Sequence, residues 1–158
     1  MEIIVYLFLL FLIWIVLCIK DVKKDLKNHM LLFIFGVSIG FVTEVVLISF
    51  GFYHFNTAPL ILNWAPSVIP IYLFFLSFLY VGYKKLKIKF KKTNYLMIIF
   101  LIGIPIFFVN DAIAINLVNY WRYTFGPEIL NVAIAAPFAE SMLGVVIFYF
   151  TSFFTKLK

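Results

Sequence analysis

The stretch IIVYLFLLFLIWIVLCI, residues 3–19, followed at once by KDVKKDLK, residues 20–27, decides the fold. Its seventeen uncharged residues would make a helix of about 25 Å, close to the ~30 Å hydrocarbon thickness of a bilayer. The lysines behind it mark where such a helix meets water. No basic residue precedes the run and no small-x-small cleavage site follows it, so it reads as a retained helix rather than a leader.

Four more runs of the same kind occur outward from this one, at residues 30–50, 60–83, 95–118 and 129–154. Of the 158 residues 65% are hydrophobic and only 13% charged. A soluble domain of this length has no core large enough to hide that apolar surface. The prediction is an all-α integral membrane protein with five transmembrane helices, forming one polytopic domain over residues 1–158.

Lysines alternate with the connections. They follow the first run (Lys20 to Lys27), the third (Lys84 to Lys92) and the fifth (Lys156 and Lys158), whereas the other two connections share a single basic residue, Arg122. The positive-inside rule then predicts a multi-pass protein of the cell membrane with its N-terminus outside and its C-terminus in the cytoplasm. The segment KKLKIKFKK, residues 84–92, reads as an anchor on anionic lipid, so the bilayer is the expected partner and nucleic acid is not. A lone cysteine, Cys18, excludes an internal disulfide and a cysteine-based metal site. His29 and His54 fall on opposite sides with no HxxxH spacing, and no metal is expected.

Two halves can be aligned along this topology. Glu44 precedes GFYHF (51–55) and Pro66; Asp111 precedes NYWRY (119–123) and Pro137. The acid-to-aromatic gap is nine residues in one half and ten in the other, and the aromatic-to-proline gap is thirteen against fourteen. The pattern suggests a parallel internal repeat of spans two and three in spans four and five.

Three carboxyls stand inside the apolar runs: Glu44, Asp111 and Glu140. Counting from residue 129 sets Glu140 roughly 16 Å below the outer end, near the midplane. Glu44 continues the face of Gly36 and Gly40, Asp111 that of Gly103 and Phe107, and Glu140 that of Ala133, Ala136, Pro137 and Gly144. Small residues line the sides where spanning helices meet, so the acids are expected to point into the bundle. An ionised carboxyl there costs at least about 2.5 kcal/mol, which makes intramembrane acids functional candidates. A neutral, proton-donating acid is the expected resting form of Glu140. Tyr53, Trp64, Trp121 and Tyr123 supply aromatic faces near the acids, and Arg122 is expected to pair with Glu128, Asp111 or an anionic headgroup. Pro66, Pro70 and Pro105 are expected to kink their helices.

The segment YWRYTFGPEILNVAIAAPFAES, residues 120–141, resembles the end of the membrane-embedded lycopene cyclase domain, with its W-x-Y/F element, Pro-Glu turn and P-x-E-E motif. TEVVLISFGFYHF, residues 43–55, is similar to the acid-then-FG-x-Y-x-Y pattern of related carotenoid hydratases. Where the family has two adjacent acids, this chain has Ala139 before Glu140 and Ser141 after it. The resemblance implies a carotenoid-biosynthesis isomerase that cyclises or hydrates a long isoprenoid and uses no cofactor. It implies Glu140 as the acid, Glu44 or Asp111 as the cation-stabilising partner, and Tyr53, Trp64, Trp121 and Tyr123 as substrate-binding walls. Family members pair two three-helix halves, so five spans point to a homodimer. The alternative reading is a non-enzymatic membrane protein: a transporter subunit, ion pathway or assembly factor.

Overall fold

A computed structural model describes residues 3–56, 65–89 and 94–155, with the backbone alone for 87–89. Five helices carry the chain: α1 (Ile3–Lys24), α2 (Leu26–Ser49), α3 (Val68–Lys89), α4 (Tyr95–Ile113) and α5 (Ala135–Ser152). All five are long and apolar enough to span a membrane, α4 together with the π-helical turn Ala114–Val118 that continues it. The protein is an all-α integral membrane protein.

Only Asp25 separates α1 from α2, and the two helices diverge there as arms with α3 packed against both. Helix α4 lies against α3 and, most extensively, against α5. Tyr6 at the start of α1 reaches Asn110 near the end of α4, and Lys84 late in α3 reaches Asp21 late in α1. One end of the bundle therefore collects the lysine-rich connections. The opposite end carries two small antiparallel ribbons.

At the lysine end Asp21, Asp25, His29, Ser77 and Lys84 form a network that ties α1, α2 and α3 together. Lys84 Nζ lies 2.8 Å from Asp21 Oδ1 and 3.4 Å from Asp25 Oδ2, and His29 bridges Asp21 at 3.0 Å and Ser77 at 3.2 Å. His29 is thus not the isolated residue that its spacing suggests. Burial opposes the charge on Asp25, but hydrogen bonds from Tyr80 and Asn28 and the ammonium of Lys84 outweigh it and hold the carboxyl below the ordinary 3.8. A carboxyl depressed in the folded state gives stability that is complete above its unfolded value and is lost as pH falls through the folded one. The thermal unfolding midpoint in detergent is expected to drop below about pH 4. Asp25→Asn should lower the neutral midpoint modestly and shallow that acid limb.

At the other end, β1 (Tyr53–Phe55) pairs with β2 (Trp121–Tyr123), setting Tyr53 opposite Tyr123, His54 opposite Arg122 and Phe55 opposite Trp121. Side chains alternate across a strand. Trp121 and Tyr123 are therefore buried while Arg122 is exposed beside His54. Arg122 makes no ion pair with Asp111 or Glu128 among the described residues, so of the three expected partners neither carboxylate is used.

A second ribbon, β3 (Glu128–Ile129) with β4 (Val132–Ala133), occupies residues expected to open the fifth span. Leu130 and Asn131 make its turn at φ 52° and 60°, a left-handed pair suited to a two-residue hairpin. Asn116 in the π-helical turn fixes it, donating to Leu130 O at 2.7 Å and accepting from Asn131 at 2.6 Å. Helix α5 consequently begins at Ala135, not at residue 129. Pro137 then sits in its first turn, where a missing N–H breaks no helical hydrogen bond. Glu140 therefore stands only about 8 Å from the start of its helix, not the roughly 16 Å counted from residue 129.

Candidate functional site

Glu44 lies five residues before the end of α2, Glu140 five residues after the start of α5, and Asp111 seven before the end of the π-helical turn. At the helical rise these positions fall within roughly 8 to 10 Å of the ribbon end. The three acids thus occupy one layer of the bundle.

In that layer is a cavity of about 320 Å³. Glu44 and Glu140 face it together with Tyr53, Tyr72, Trp121 and Tyr123. Asp111 does not line it. It is 0% exposed and lies behind Asn110 and Tyr123, which do. Trp64 lies outside the described residues. Tyr53 lies far in sequence from Trp121 and Tyr123, and the β1–β2 pairing brings them together: the rings of Tyr53 and Tyr123 are 6.0 Å apart, those of Phe55 and Trp121 6.3 Å.

Hydrogen bonds order the acids. Tyr6 donates to Asn110 Oδ1, and Asn110 Nδ2 donates to Asp111 Oδ1 at 3.1 Å. The Tyr123 hydroxyl donates to Asp111 Oδ2 at 2.8 Å and stands 3.3 Å from Glu140 Oε1. Burial first, then the neighbouring carboxyls of Glu140 and Asp111, pushes the Tyr123 phenol far above its ordinary value, so it stays a donor. One hydroxyl has one hydrogen. If the shorter contact takes it, the longer contact is a hydrogen bond only when Glu140 has a proton to give. Asp111 and Glu140 also interact directly, yet Glu140 Oε2 is buried with no hydrogen bond of ordinary geometry among the described residues.

Glu44 is held differently. Tyr72 donates to its Oε1 at 2.7 Å. Gly40 makes that approach feasible, because a Cβ there would stand 2.2 Å from Tyr72 Cζ. The small face of α2 therefore admits a ring from α3, not merely a neighbouring backbone. Gly103 does the same between α4 and α5, where a Cβ would come within 2.6 Å of Ser141 Oγ.

No family model, curated protein or solved structure matches this chain. The chemistry of the site rests on its own residues. Tyr72 and Tyr6 are its members that sequence patterning does not single out. Each is a phenol in an apolar run, and a buried phenol needs a partner for its hydroxyl, the only signal that marks them.

Proposed function

We propose that the protein is a membrane-embedded acid–base catalyst of the lycopene cyclase type, acting on the end of a long isoprenoid. The observation that carries this reading is a pair of carboxyls from different helices, Glu44 and Glu140, facing one cavity lined mainly by aromatic and aliphatic side chains. Glu140 is the acid, supported by the hydrogen count at Tyr123. It transfers a proton to a carbon–carbon double bond, leaving a carbocation that the faces of Tyr53 and Trp121 stabilise. A neighbouring double bond closes the ring, and the new cation loses a proton to Glu44, the base, oriented by Tyr72. One proton enters and one leaves, so cyclisation is an isomerisation; capture of the cation by water instead adds one water.

Asp111, carried by α4, sets a second carboxyl beside Glu140 where the resembling family has two adjacent acids in sequence. Its role here is to accept from Tyr123 and so leave that hydroxyl's oxygen free to accept from Glu140.

An ion pathway is less favoured. The cavity ends on Leu76 and Ile147, and these pack with Leu32, Leu79 and Ile99 between the acid layer and the lysine-end network.

Expression in a bacterial host that accumulates lycopene tests the proposal. Lipid-extract mass spectrometry is expected to show a new product of unchanged mass or one water heavier. Unchanged lycopene, with no other isoprenoid altered, would sink it.

A further inference from the structure

We infer that the cavity takes its occupant sideways from the bilayer, through a gap between α2 and α5 floored by Ala135 and Ala139. The inference rests on the reading above and adds the route by which the isoprenoid enters. Both alanines line the cavity and are exposed on the outside of the bundle. Across the gap on α2, Thr43 and Leu47 also line the cavity and are only partly buried. The α3 side and the lysine-end floor are closed: Val68, Ile71 and Phe75 on α3 are buried, as are Leu76 and Ile147 toward the lysine end.

The rim decides what can reach the gap. Val42 and Val46 on α2 and Phe138 and Met142 on α5 are large, apolar and exposed. In a spanning bundle such a surface faces acyl chains, so the mouth opens to lipid, not water. At Ala139 the chain puts only a methyl group into the opening, and the next residue is the acid, Glu140. An apolar chain entering there brings its tip to Glu140 and Tyr123 while its remainder lies among the lipids. A volume of about 320 Å³, at the small end of ligand sites, suits the end of such a chain and not its whole length.

Site-directed alkylation tests the route, because the native thiol, Cys18, is 0% exposed. Ala139→Cys in phosphatidylcholine vesicles is treated with a membrane-permeant maleimide, with and without lycopene. Lycopene should slow the reaction about fivefold once it exceeds its dissociation constant several times over. Val16→Cys, at a position 77% exposed on α1, should be unaffected. Equal slowing at both positions, or none at position 139, would overturn the route. If lycopene is nonetheless converted in cells, the acid–base reading survives that result; protection at position 139 without any product supports the route and removes the acid–base reading.

Discussion

Glu140→Gln is expected to lower product formation by about 10²- to 10⁴-fold, the range that a positioned general acid supplies. The change is nearly isosteric. Glutamine can still donate to the Tyr123 hydroxyl oxygen at the 3.3 Å contact, so the hydrogen-bonded order around Asp111 persists and stability should move by less than about 1 kcal/mol. What disappears is the ability to release a proton to a carbon–carbon double bond. Infrared spectroscopy separates this from a structural defect. The wild-type protein should show the carbonyl band of a neutral carboxylic acid, absent from Glu140→Gln and retained in Glu44→Gln. Loss of the band in Glu44→Gln instead would exchange the roles of the two residues.

The spans are legible in the sequence because apolar length is a local property, and even the inward faces of Glu44 and Asp111 follow from spacing in steps of four residues, one step to Gly40 and two to Gly103. Their partners do not follow. Tyr72 and Tyr6 join the site through contacts 28 and 104 residues away in sequence, and nothing in a local window distinguishes them from lipid-facing aromatics. The aromatic-x-aromatic elements show the limit from another side. Each spells a two-residue period, the mark of a strand, but three residues inside a membrane protein read first as an interfacial belt. Only the partner strand makes them a ribbon.

Residues 129–134 mislead for a related reason. The run ILNVAI suits a buried helix as well as a hairpin, and periodicity cannot separate them over six residues. The choice is made by Asn116, whose side-chain amide and carbonyl hold the turn at Leu130 and Asn131. That non-local clamp moves the start of α5 to Ala135 and sets Glu140 five residues into its helix, level with the other two acids. The place of Glu140 along its helix is therefore hidden from a local reading.

Gly103→Ala should destabilise the protein by about 1 kcal/mol even though alanine is the better helix former. The intrinsic preference favours alanine by about 1 kcal/mol. Against it, the added Cβ would lie 2.6 Å from Ser141 Oγ, 3.1 Å from its Cβ and 3.3 Å from its Cα. The hydroxyl can rotate away but the backbone of α5 cannot, so the helices must part, and overpacking of this kind costs about 1–3 kcal/mol or more. The seam also sets the distance between Asp111 on α4 and Glu140 on α5, so product formation should fall along with stability. Ser141→Gly provides the discriminating partner, since it removes two of the three close atoms and its Oγ has no hydrogen-bond partner among the described residues. In chemical-denaturant unfolding, the double variant Gly103→Ala with Ser141→Gly should recover most of the loss. Simple additivity of the two changes would mean that the clash is not the cause, and that the α4–α5 seam does not position the acids.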